Sequence, residues 1–163
     1  MLPLLLAGMV LLGFMMGPEV FTDTSATPSA AYLREELGII RDEYTVIHEE
    51  DSHGGFHGDG LYFAVLDCSE KIEDVQKLIA DWREVPLPED LHRVLYGRYI
   101  YEFDPVGSGQ FPVVENGCYY FNNRHSEAEN SQDEKIFRLS SCNFSLAVFN
   151  RDNNTLCLMC FDT

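Results

Sequence analysis

The chain opens on a continuous apolar run, MLPLLLAGMVLLGFMMG, passes through a polar stretch of small residues, and then settles into short patterned segments divided by turn formers. Residues 30–37 fit a short helix, with Ser29 as its cap and Gly38 supplying a left-handed exit. Residues 44–48 and 61–66 are rich in aromatic and β-branched side chains. The intervening EEDSHGGFHGDG is full of turn formers, which predicts a hairpin with a long loop. From Asp67 the period changes. Asp67 and Glu70 have capping-box spacing, and Ile72, Val75, Leu78, Ile79 and Trp82 share one face, so a principal helix is expected here, ended at Pro86, with Trp82 closing the core against the sheet.

Pro88 then opens a shorter helix through Leu91, Val94 and Leu95 up to Gly97. Tyr99, Tyr101 and Phe103 alternate with Ile100 and Glu102 as in a half-exposed strand. Residues 111–114 and 118–121 are read as a second hairpin about Asn116-Gly117, a dipeptide that favours tight turns. Residues 122–135 form a polar excursion, and residues 136–139 are read as re-entering the sheet. Residues 143–149 and 155–161 flank Asn150-Arg151-Asp152-Asn153-Asn154 and make the clearest hairpin, with Phe144, Leu146 and Val148 on one face. The expected architecture is α+β: a mostly antiparallel sheet built from hairpins, packed against one principal helix with short accessory helices.

Length and charge sharpen this picture. The 163 residues divide into an apolar signal or membrane-anchor segment (1–18), a polar spacer (19–30) and a single domain (31–163). The apolar segment is marginal for crossing a hydrocarbon layer about 30 Å thick. It lacks preceding basic side chains, and Thr24-Ser25-Ala26 offers a small-residue cleavage pattern, so secretion and membrane anchoring are the two outcomes expected, both outside the cytoplasm. Met9 stands where a bacterial lipidation site would need cysteine, which excludes a lipid anchor of that type.

The formal charge is -16, from 27 acidic and 11 basic side chains. Glu19 and Asp23 are the only charged side chains before residue 31, so the 133-residue body carries 25 acidic against 11 basic groups, or -14. A field of that sign repels phosphate backbones and anionic lipid heads, which argues against nucleic-acid binding and confines any membrane contact to residues 1–18.

The densest candidate chemistry is His48, Asp51, His53, His57 and Asp59, with three of the five histidines inside ten residues. Gly54 and Gly55 disfavour a helical HExxH site, so any ligand must be held by a loop. Asp51 and Asp59 also serve as turn caps, and the glycines steer the hairpin. No cofactor is required by the sequence; zinc is the ion the loop would suit, through His53, His57 and Asp59. His125, two residues before Glu127, would join the site if folding brought it alongside. No catalytic residue is assigned: GxSxG and GxGxxG are absent, and Gly107-Ser108-Gly109 lacks the lysine of a phosphate loop.

Cys68, Cys118, Cys142, Cys157 and Cys160 are read as buried small hydrophobes, with Cys142 to Cys157 or Cys160 as the disulfide to consider. Three function classes follow. The first is a non-catalytic binding or structural protein meeting a protein, peptide or basic partner through residues 51–60 and 122–135. The second is a metal-assisted hydrolase using the 48–59 loop, and the third an inhibitor or immunity-type protein that blocks a basic partner.

Overall fold

The computed structural model describes residues 28–54, 58–100 and 103–163. The apolar segment 1–18, the spacer up to residue 27, His57, and Tyr101 with Glu102 of the expected strand therefore lie outside the described residues. Among the described residues no helix is long and apolar enough to cross a membrane.

The fold is α+β. Six antiparallel strands form one sheet in the order β1-β2-β6-β5-β4-β3: β1 Thr45–Asp51, β2 Gly60–Asp67, β3 Arg83–Glu84, β4 Gly117–Asn123, β5 Phe144–Asn150 and β6 Thr155–Asp162. Three short helices accompany it: α1 Pro28–Leu37, α2 Ile72–Leu78 and α3 Glu89–Tyr96. Two local hairpins, β1–β2 and β5–β6, are joined at the centre by pairing β2 with β6 over its full length, from Gly60 opposite Asp162 to Asp67 opposite Thr155. That pairing brings together residues almost the whole domain apart in sequence.

Both faces of the sheet are covered, which explains why its central strands are apolar at nearly every position. On one face Phe63, Val65, Phe121, Phe144, Leu146, Val148 and Met159 pack with Leu91, Val94 and Leu95 of α3 and with Phe103, Phe111 and Ile136 from irregular segments. On the other, Tyr62, Ala64, Leu66, Ala147, Phe149, Leu156 and Leu158 meet Leu33 and Leu37 of α1, Val75 of α2 and Ile79 just after it. Phe144, Leu146 and Val148 share a face as their spacing requires.

Local chemistry sets the helix ends. Pro28 occupies the first position of α1, where its missing N–H costs nothing, so the helix begins before the expected Ser29 cap. Gly38 (φ 68°) ends it: its N–H donates to Arg34 O at 3.0 Å and Ile39 N–H donates to Leu33 O at 3.1 Å, the paired bonds of a left-handed helix exit. α2 is shorter than its apolar period suggests. Asp67 Oδ1 accepts from Ser69 N at 2.9 Å and forms no capping box, and a 3-10 turn, Ser69–Lys71, precedes the helix. The chain turns after Leu78 because Arg83 and Glu84 must pair with Tyr119 and Cys118 of β4. Trp82 lies at that turn, half-buried, 5.8 Å from the Tyr120 ring.

Three expected extended segments are not strands at their described residues. Tyr99, Ile100 and Phe103 lie in irregular chain, where Tyr99 meets Phe137 edge-on at 4.4 Å and Phe103 meets Phe63 at 4.9 Å. Residues 111–114 are also irregular: Phe111 and Val114 are apolar because they plug the core. Ile136–Arg138 is a 3-10 turn that inserts Ile136. The expected second hairpin consequently does not form. Asn116-Gly117 does not close a turn; Gly117 begins β4 opposite Asn150.

All five cysteines are free and buried, so no Cys142 disulfide forms; Cys157 and Cys160 project to opposite faces. Burial raises the Cys68, Cys157 and Cys160 thiols to about 12 and Cys118 to about 11. Native protein at mildly alkaline pH is therefore expected to resist a thiol-disulfide reagent, while urea-unfolded protein reacts at all five positions. A thiol held neutral in the fold ionises first in the unfolded chain. Stability present below the ordinary thiol range should thus be lost progressively as pH rises towards 12, as an alkaline melting series would show.

Candidate functional site

Asp51 ends β1 and Gly60 starts β2, so residues 52–54 and 58–59 lie at the connecting end of that hairpin. Ser52 pins its base: Ser52 N donates to Leu61 O at 2.8 Å, and Leu61 N donates to Ser52 Oγ at 2.9 Å. His53 then folds across Gly60. A Cβ at Gly60 would lie 2.6 Å from the His53 backbone, so glycine is required there by close approach.

His53 is the centre of a cluster drawn from both ends of the domain. Asp51 Oδ1 accepts the His53 backbone N–H at 2.9 Å and lies 2.8 Å from Nδ1. On the other side Nε2 faces Asp162 Oδ2 at 3.4 Å, close but not aligned for a hydrogen bond. The imidazole stacks on Tyr32 of α1 at 5.1 Å, and Tyr32 stacks on Tyr62 of β2 at 5.0 Å. Arg124 closes the ring of charges: it meets Asp162 at 3.1 Å, donates to Phe144 O at 3.2 Å and approaches Glu36 of α1 at 3.9 Å. Behind the stack, Tyr62 donates to Glu49 Oε1 at 3.0 Å and Arg41 Nε donates to Glu49 Oε2 at 2.8 Å. Burial, reinforced by Asp162 and Asp51, raises the Tyr32 hydroxyl; burial, reinforced by Glu49, raises that of Tyr62 further. Both phenols are held neutral and anchor α1 to the sheet.

The other candidates go elsewhere. His48 lies three residues from Asp51 on the same strand and so faces the opposite side, against Phe63 at 5.9 Å with Nε2 3.6 Å from Glu50. Asp59 is exposed beside the loop, and His57 lies outside the described residues. His125 is buried in its own turn, and its neighbour Arg124 reaches the His53 cluster instead. The expectation of a zinc site is corrected by this scatter. Among the described residues no group of three or more His, Cys, Asp or Glu side chains could hold a metal ion.

His125 has a different partner, Ser141, whose Oγ lies 2.9 Å from Nε2. The polarity of the pair decides its chemistry. Glu127 N–H donates to Nδ1 at 3.1 Å, which leaves the neutral ring protonated at Nε2 and donating to Ser141. A general base needs the reverse arrangement, a bare nitrogen accepting from the hydroxyl. The contact instead fastens part of the 122–135 stretch, which the sequence presents as a solvated excursion, to the turn before β5. Asn123 N to Ser131 O at 2.7 Å and Gln132 Nε2 to Phe121 O at 2.8 Å complete that fastening.

The described residues also line open grooves, two of them larger than 400 Å³. One, of about 470 Å³, is lined by Trp82, Tyr120, Tyr119 and Arg83. The other, of about 430 Å³, lies between Tyr99, Phe137 and Phe161 and the hydroxyls of Ser140 and Ser141.

Sequence spacing pointed to His53 and Asp51 but not to Tyr32, Tyr62, Arg124 or Asp162. Only the register that sets Gly60 opposite Asp162 brings that carboxylate to the loop, and no local signal encodes it. Comparisons with protein families, with curated proteins and with solved structures found no match for this chain.

Proposed function

We propose that this chain is a small acidic binding domain without catalysis of its own, displayed outside the cytoplasm by its apolar leader and acting on a protein or peptide with a basic surface. The observation that supports this reading is where the cations go. Of 11 Lys and Arg side chains, eight contact the domain's own carboxylates: Arg41, Lys71, Lys77, Arg83, Arg98, Arg124, Arg138 and Arg151. Arg93 lies over the Phe137 ring at 4.6 Å. Most of the cations are thus paired within the domain, and the excess carboxylates present a net field of one sign.

Such a field raises encounter rates with basic partners and selects against acidic ones, while exposed ion pairs add little stability. The test is a titration of the full-length chain, held in neutral detergent, with lysine-rich and glutamate-rich peptides. Binding is expected for the lysine peptide alone and should weaken steeply as salt rises. Equal binding of both peptides, or none, would remove this reading.

A further inference from the structure

The two edges of the sheet are finished differently. β3 is only two residues long, and beyond it the outer side of β4 is closed by the bonds from Asn123 to Ser131 and from Gln132 to Phe121. At the opposite edge β1 runs for seven residues, and among the described residues all its strand pairing is with β2. An unpaired strand offers a row of N–H and C=O groups to any extended chain that can approach.

Two features qualify which chain can approach. Ile47, the extra residue of a bulge between Val46 and His48, is 52% exposed, and nearby Ile40 is 57% exposed. They are the two most exposed large hydrophobic side chains among the described residues. Around them, residues 41–81 contain eleven acidic and three basic side chains, half of the chain's net charge of -16. Arg41, Lys71 and Lys77 are each paired with a carboxylate of the same region. Glu50 on β1 and Asp42 just before it keep side chains 43% and 80% exposed.

We propose that the outer edge of β1 is a docking edge that takes an extended basic peptide segment of a partner protein as a seventh strand. This rests on the acidic binding reading above and gives it a place. Main-chain pairing supplies affinity without sequence specificity, Ile47 and Ile40 contact alternate apolar side chains, and Glu50 with Asp42 select lysine or arginine. A second copy of the chain is disfavoured because each carries the same charge of -16.

The experiment uses the full-length chain in neutral detergent with peptides of about ten residues, enough to cover a strand. One alternates Lys and Val; the second alternates Lys and Gly, with equal charge but little strand propensity. The Lys–Val peptide is expected to bind tighter and to slow exchange at those amides of residues 45–51 that point away from β2, and Ile47→Lys should weaken it about tenfold or more with an unchanged circular dichroism spectrum. Equal binding of both peptides without protection of β1 would overturn the docking edge yet leave the acidic reading standing. Failure of both basic peptides to bind would overturn both. Slow exchange in the free protein at the β1 amides that point away from β2 would show the edge already filled by the chain's own segment. Self-association abolished by Ile47→Lys would assign the edge to a second copy. Either result overturns the proposal.

Discussion

Phe63→Ala is expected to destabilise the domain by about 3–5 kcal/mol, the range for deleting a buried aromatic ring. Phe63 is fully buried at the middle of β2, and its ring meets Phe103 edge-on at 4.9 Å. Its backbone pairs with Glu50 on one side and Met159 on the other, so both neighbours are held in register and cannot collapse into the cavity. Domains of this size are stable by roughly 5–15 kcal/mol, so one substitution removes a large share. Phe63→Leu keeps most of the volume and should cost well under half as much. Urea unfolding followed by the fluorescence of Trp82, the single tryptophan, measures both. A midpoint for Phe63→Ala equal to that of the parent would show that this face of the sheet is not closely packed.

Gly117→Ala is the second large effect and has a different cause. Gly117 is buried at the start of β4, where a Cβ would overlap the Phe149 carbonyl oxygen and lie 2.7 Å from Val114 Cγ1. The added methyl must push β4 from β5 or displace the segment that plugs the core, at about 1–3 kcal/mol. Gly54→Ala provides the control. Its nearest neighbour would be an ordinary 3.8 Å contact, and a change within about 0.5 kcal/mol is expected. If the two alanine variants unfold at the same urea concentration, the close approach at Gly117 carries no weight.

Gly117 also shows what limited the sequence reading. Asn116-Gly117 has the composition of a tight turn, but this glycine answers to a neighbouring backbone far away in sequence. Phe111, Val114 and Ile136 misled in the same way. Apolar side chains mark burial, and a residue in irregular chain can be buried against a sheet as completely as one in a strand. The candidate site was half legible. Asp51 and His53 are local partners two residues apart, whereas His48, on the same strand, faces the opposite side.

The sequence by itself determined the features that depend on near neighbours. The β1–β2 and β5–β6 hairpins, the exit of α1 at Gly38, the short α3 helix and the charge of -16 all follow from local periodicity, turn chemistry and composition. Tertiary structure decided which strands meet: only the pairing of β2 with β6 sets Asp162 beside His53, lets Arg124 bridge to α1, and leaves β1 as an outer edge. The physical reason is that strand register between distant segments is selected by burying two apolar faces at once, a condition on the whole sheet that no short window of sequence contains.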